Sequence, residues 1–237
     1  MISAAFRKPS IRIMSWMLSF AAGVMVSIVC FGLVPESLEL TGVPVTVAGL
    51  VLGVVVILLL NRLVDAVTHS GKALHQTAEE LYHAGKILHD PKTLLRSGIV
   101  IIIAIALHNV PEGMAIGAGG SHDERLGLML AIMIALHNIP EGMAVAAPLI
   151  GGGLNRGKAV LMTTLAGATT LAGGVIGVLF GALSDTAVAL SLSAAGGAML
   201  YVVFGEIIPQ AVVATKSRTV TIVTLAGIIA GMLVALM

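Results

Sequence analysis

Seven long apolar stretches, at approximately 13 to 34, 44 to 61, 98 to 118, 127 to 148, 159 to 182, 187 to 210 and 219 to 237, divide most of this chain between them. Crossing the hydrocarbon of a bilayer takes about 20 such residues. Inside it the backbone must satisfy its own hydrogen bonds, so each stretch is predicted to be a transmembrane helix. With 57% hydrophobic and 11% charged residues among 237, and a mean hydropathy of +1.05, the chain carries more apolar surface than a soluble domain can bury. The expected fold class is all-α, a polytopic bundle of about seven spans in a cell membrane, with the lipid bilayer as its partner.

The basic residues orient that bundle. Arg7, Lys8 and Arg12 precede the first stretch, and Arg62, Lys72, Lys86, Lys92 and Arg96 lie between the second and third. Alternation then brings Arg156, Lys158, Lys216 and Arg218 to the same side and leaves only Arg125 opposite. Because cytoplasmic loops collect Lys and Arg, residues 1–12 are expected to be a cytoplasmic N-terminus and 13–61 spans one and two. Residues 62–97 form a cytoplasmic loop, 98–237 hold spans three to seven, and the C-terminus is external. The first apolar run exceeds the 7 to 15 residue core of a cleaved signal peptide, so it is expected to stay as a span.

Other readings fall away or stay modest. The single cysteine, Cys30, excludes an internal disulfide and any site built from several thiolates, and reads as a small buried residue. A net charge of +1, spread beside spans, gives no nucleic-acid surface. The 62–97 loop carries His69, His75, His83 and His89, with Leu74, Leu81 and Leu88 at heptad spacing, which fits a short helix lying on the membrane. Those histidines do not share one helical face; they read as solvated loop residues, with weak metal capture as the alternative.

Within this apolar background one phrase occurs twice. Ile105 to Ala115 reads IALHNVPEGMA and Ile134 to Ala144 reads IALHNIPEGMA, differing only at Val110 against Ile139. An ionisable side chain at the centre of a membrane helix costs roughly 2.5 kcal/mol or more, so a His and a Glu, twice over, require a compensating partner. His108 and Glu112 are four residues apart and point to nearly the same side of a helix, as do His137 and Glu141. Two such helices face to face offer two imidazoles and two carboxylates, and a divalent cation suits them.

Pro111 and Pro140 lack an N–H and crowd the preceding turn, so both helices are expected to kink there, leaving carbonyls and the amides of Asn109 and Asn138 as oxygen donors. Gly113 and Gly142 permit either close helix packing or a local departure from helical geometry. Met114 and Met143 read as packing residues. Imidazole with carboxylate suits borderline first-row ions, so Zn²⁺, Fe²⁺, Mn²⁺ and Co²⁺ all stay open.

A fainter repeat sets Ala21, Ala22, Gly23, Val29, Phe31 and Gly32 against Ala194, Ala195, Gly196, Val202, Phe204 and Gly205 at constant spacing. Such repeats mark related halves of membrane bundles. Glu206, three residues before Pro209, joins a carboxylate to a proline-broken helix and is a candidate for the same pathway. Glu36 and Glu39, at the outer end of span one, read as solvated loop carboxylates, with a cation vestibule as the alternative.

With those residues in view, the chain resembles the ZIP family of divalent-metal transporters, most closely its bacterial branch of zinc and iron importers. The two HNxPEGMA segments carry the likeness, which runs from about Ile13 to the C-terminus. It implies that His108, Asn109, Glu112, His137, Asn138 and Glu141 form a binuclear metal centre, that Glu206 is an accessory carboxylate, and that ligand-bearing helices move against a homodimeric scaffold. The same likeness leads one to expect an eighth, opening span ahead of the seven. Relatives also often carry a glutamate where this chain has Thr169 and Thr170, and some are acidic at Gly32.

The expected function is import of a divalent cation, zinc foremost and Fe²⁺, Mn²⁺, Co²⁺ or Cd²⁺ besides, with the metal as cargo and no catalytic cofactor. Two charges moving inward down an interior-negative potential gain roughly 4.6 kcal/mol per 100 mV, enough to work without a nucleotide site. An intramembrane metalloenzyme is the rival, although no HExxH run is present. A metal-binding membrane protein that no longer transports is the third reading.

Overall fold

The computed structural model describes residues 11–67, 91–215 and 217–235. His69, His75, His83, His89 and the surface helix expected around them lie outside those residues. The elements are α1 (Ile11–Ile28), α2 (Val34–Thr41), α3 (Val43–Val67), α4 (Pro91–His122), α5 (Glu124–Gly151), α6 (Arg156–Gly181), α7 (Asp185–Val202), α8 (Ile208–Thr215) and α9 (Thr219–Ala235). Two π-helical segments, Val29–Leu33 and Val203–Ile207, join α1 to α2 and α7 to α8. The described residues thus form seven helical rods, each over one of the expected stretches.

Five of these are long and apolar enough to cross a membrane: Ser15–Thr41, Val43–Arg62, Glu124–Met143, Arg156–Gly181 and Asp185–Ile207. Thr219–Ala235 is apolar but shorter. Short turns join α2 to α3, α4 to α5, α5 to α6 and α6 to α7. Gly42 takes φ +77° between α2 and α3, a left-handed conformation that suits glycine. Asn155 accepts the Gly157 N–H at 2.7 Å to start α6, and Ser184 caps α7 by accepting from Ala187.

Small residues decide which rods touch. The most extensive contact is α4 against α6, followed by α1 with α9, α4 with α5, and α3 with α7. Along the α4–α6 seam a side chain at Gly113 would strike the Thr170 carbonyl, and one at Gly173 the Val110 carbonyl. Gly23 and Gly227 seal α1 on α9 in the same way, and Gly53 and Gly197 seal α3 on α7. Backbones this close gain van der Waals contact that lipid cannot supply, which is the usual basis of helix association in a bilayer.

The main apolar core runs between α1, α5 and α7, with Met25, Ile28, Leu130, Met133, Leu192 and Met199 fully enclosed. By contrast α3 and α6 are peripheral and turn Val47, Val51, Leu59, Leu165, Leu171 and Leu179 outward. Cys30, expected to be buried, is exposed instead. It sits in the first π segment, whose extra residue per turn leaves Cys30 and Phe31 on the outer face.

Those π segments give the fainter repeat a structural meaning. The Val34 N–H bonds the Val29 carbonyl and the Ile208 N–H bonds the Val203 carbonyl, each five residues back. Pro35 and Pro209 follow immediately and bring no N–H to the ladder, so a wider turn costs each helix less than it would elsewhere. α4 continues as an α-helix through Pro111.

The seams predict a contrast in stability. Replacing Gly53 with Ile drives a side chain into the Ala194 carbonyl and is expected to cost about 1–3 kcal/mol. Gly167→Ala, whose new carbon meets nothing within 4 Å, is expected to leave stability unchanged or slightly raised. Thermal midpoints of the detergent-solubilised protein, read by size-exclusion chromatography, check both.

Candidate metal centre

The two copies of the repeated phrase lie on α4 and α5, the adjacent rods joined by the short turn around Asp123. Helical spacing puts His108 and Glu112 on one side of α4 and His137 and Glu141 on one side of α5. Packing of α4 on α5 turns those sides toward each other. All four side chains are buried, Glu112 completely and Glu141 to 6% exposure. No lysine or arginine neutralises them in an ion pair among the described residues.

Glu112 is the hub. Its Oε1 lies 3.1 Å from His108 Nε2 on its own helix and 2.9 Å from His137 Nε2 on α5. The second contact is a hydrogen bond; the first is within ion-pair distance without hydrogen-bond geometry. One ligand atom each from Glu112, His137 and Glu141 forms a group whose members all lie within 4.8 Å of one another. Bonds of about 2.0–2.1 Å to a tetrahedral zinc would set neighbouring N and O donors roughly 3.3 Å apart. The observed separations need small adjustments to reach that.

Several buried polar atoms here make no hydrogen bond inside the protein: Glu112 Oε2, both nitrogens of His108, His137 Nδ1, and the amide oxygens of Asn109 and Asn138. Buried polar groups left in that state are costly, and a cation would accept the lone pairs of all the oxygens. The donor set of imidazole, carboxylate and amide oxygen is hard to borderline, suited to first-row divalent ions.

The two asparagines part company despite their identical sequence settings. Asn109 donates its amide to the Ala166 carbonyl on α6 at 3.1 Å, leaving its oxygen free. Gly113 is wedged against α6, whereas a side chain at Gly142 would meet only the Thr163 methyl at 3.4 Å. Of the two uses expected for these glycines, close packing describes Gly113.

Glu206 lies in the second π segment and accepts a hydrogen bond from Asn61 Nδ2 of α3 at 3.2 Å. It stands within Coulombic reach of His108 and Glu141 but outside the Glu112, His137, Glu141 group. Sequence reasoning missed Asn61, whose only signal was a lone amide near the end of an apolar run. Toward the other end of the bundle, His122 Nε2 meets Glu36 Oε1 at 3.3 Å, and Glu36 lines a cavity of about 540 Å³ together with Glu39, Asp123 and Arg125.

The sequence profile of the ZIP zinc transporter family matches residues 71–237. A Corynebacterium efficiens protein described as zinc transporter ZupT is 32% identical over 98% of this chain and 87% of its own length. The proteins of that description from Campylobacter jejuni and Clostridium perfringens are 31% and 32% identical, covering 95% and 92% of this chain and 85% and 81% of theirs. The chain belongs to the ZIP family.

That membership and the apolar rods make it a multi-pass membrane protein, and they change the weight of the buried cluster. In a ZIP chain, His, Glu and Asn enclosed between two membrane helices read as a place for the cargo ion more readily than as a structural hydrogen-bonded pair. Glu112→Ala is accordingly expected to abolish tight zinc binding by the purified protein, with Glu36→Ala leaving it intact. Isothermal titration of both variants in detergent checks this.

Proposed function

We propose that this ZIP chain imports a divalent cation, with zinc as principal cargo and Fe²⁺, Mn²⁺, Co²⁺ and Cd²⁺ as ions its donors also suit. The observation that carries the reading is Glu112, wholly enclosed, joining His108 of α4 and His137 of α5 beside Glu141. Enclosed ionisable groups in a membrane bundle are expensive and mark ion pathways. His108, Glu112, His137 and Glu141 are assigned as the inner ligands, Asn109 and Asn138 as oxygen donors around them, and Glu206 as a carboxylate further along the path.

Zinc as cargo is supported by the relatives' description as zinc transporters. The same description, with no HExxH run in this chain, favours carriage over hydrolysis, so the ion is substrate and the chain is not an enzyme. Cargo moves inward because a doubly charged ion is drawn to an interior-negative compartment. The working unit is read as a homodimer in which α4 and α5 carry the ion against a static scaffold, as the family resemblance implies.

Flux decides between carriage and mere binding. Vesicles holding the full chain, a zinc indicator inside and an interior-negative potential are expected to take up zinc, and Glu141→Ala to reduce uptake to background. Equal uptake by the variant would remove the importer reading, and binding without flux would leave a non-transporting metal protein. Orientation is separately testable. With Arg and Lys holding the N-terminus inside, alkaline phosphatase fused after Met237 is expected to be active at the outer face.

A further inference from the structure

The hairpin of α4 and α5 carries all four inner ligands, and its tip is tied to another part of the bundle by an ion pair. His122, the last residue of α4, sets its Nε2 3.3 Å from Oε1 of Glu36 in the first turn of α2. The two side chains are 31% and 25% exposed, so water reaches the pair without surrounding it. The tip itself is tightly built. A side chain at Gly127 would strike Gly120, the Asp123 N–H bonds the Gly119 carbonyl at 2.8 Å, and Asp123 Oδ1 accepts the Arg125 N–H at 2.9 Å. His122 therefore moves with the hairpin.

That hairpin is also a lever. His122 lies fourteen residues beyond His108, about 21 Å along a helix, and α4 is continuous between them. α2 belongs elsewhere: it packs on α3 and α7 and continues α1 through the first π segment. Glu112 is wholly enclosed, so an ion reaches or leaves it only when the hairpin and the rods beside it separate. A tie between the tip and α2 resists that separation. Its strength depends on protons, because imidazole gains and loses its charge between about pH 5 and 8 and the contact is an ion pair only with His122 protonated. The charged groups around it are mostly acidic: Glu39 of α2, Asp123 of the turn, Glu124 at the start of α5 with Arg125 after it, and Asp185 opening α7. Such surroundings suit a cationic partner for Glu36.

We propose that His122 and Glu36 form a proton-controlled latch on the metal centre: protonated His122 clasps Glu36 and holds the hairpin against α2, and deprotonation loosens the hold. Access to the centre quickens as pH rises through the imidazole range at the end of the bundle read as external. The latch touches no ligand, so it sets how fast an ion enters and leaves and not how tightly it is held. Partial exposure limits the effect, and a pair of this kind changes a rate by about two- to fivefold. The inference rests on the metal-centre reading for its ion and adds regulation to it.

The test follows zinc release from the loaded, purified full chain into a chelator by stopped flow, at about pH 6 and at about pH 8. Wild type is compared with Glu36→Gln, His122→Gln and His122→Lys. At the lower pH both Gln variants are expected to release zinc about two- to fivefold faster than wild type, and at the higher pH to match it, with equilibrium affinity unchanged. His122→Lys, charged at both, is expected to stay slow at both. Because each comparison is made at one pH, protonation of His108 and His137 affects every variant alike. Gln variants that release at the wild-type rate at the lower pH, a gap of equal size at both, or a Lys variant as fast as the Gln variants at the higher pH would each overturn the latch. Hydrogen exchange of the tip amides needs no zinc and keeps the two readings apart. A wild type that binds no zinc sinks the metal centre, whereas Gln variants whose tip exchanges as slowly as wild type at the lower pH sink the latch.

Discussion

A carboxylate enclosed between membrane helices, with no lysine or arginine paired to it among the described residues, is what the rest of this structure must accommodate. Glu112 is reached by no solvent, and its two closest polar neighbours are histidines that are neutral unless protonated. The cost of keeping it there falls on the surrounding helices, which have to hold α4 in place while leaving the oxygens accessible to an ion. The glycine seam between α4 and α6 meets that need. Gly113, Gly117, Gly173 and Gly177 let the two backbones approach until carbonyls lie where side chains would otherwise stand. A longer side chain at any of them would move Glu112 relative to α5.

The second constraint is the pair of π segments. Val29–Leu33 and Val203–Ile207 interrupt two largely buried rods at corresponding points, each just ahead of a proline. Single-turn π segments recur at functional sites because the widened turn re-aims side chains without ending the helix. Here the second one carries Glu206 and sets it against Asn61, within reach of the centre's field. The first carries the fully buried Leu33 at the corresponding place, so one half of the pseudo-repeat contributes a carboxylate and the other an apolar side chain.

Much of this was legible in the sequence because membrane helices obey few rules. Apolar length located all seven rods, and i, i+4 spacing around His108 and His137 picked out the residues that meet. What escaped prediction depends on neighbours far along the chain. Cys30 reads as a core residue by composition, yet the π turn puts it outside. The prolines at 35 and 111 are both flanked by apolar helix and look alike, but the π turn lies ahead of Pro35 whereas α4 passes Pro111 unbroken.

The twin phrases show most clearly why local sequence stops short. Ten of their eleven residues match, and each lies on a helix of the same bundle, yet they do different work. The α4 copy is locked: Asn109 bonds α6, Gly113 is wedged against a carbonyl, and Glu112 is hydrogen-bonded to His137 and within ion-pair distance of His108. The α5 copy is looser, since a side chain at Gly142 would meet only the Thr163 methyl at 3.4 Å. A site that must take up an ion and then give it up is served by such inequality. Under the proposed import the tighter α4 copy would hold the ion's place, and the roomier α5 copy would let donors adjust within the pair without disturbing the seam that keeps Glu112 buried.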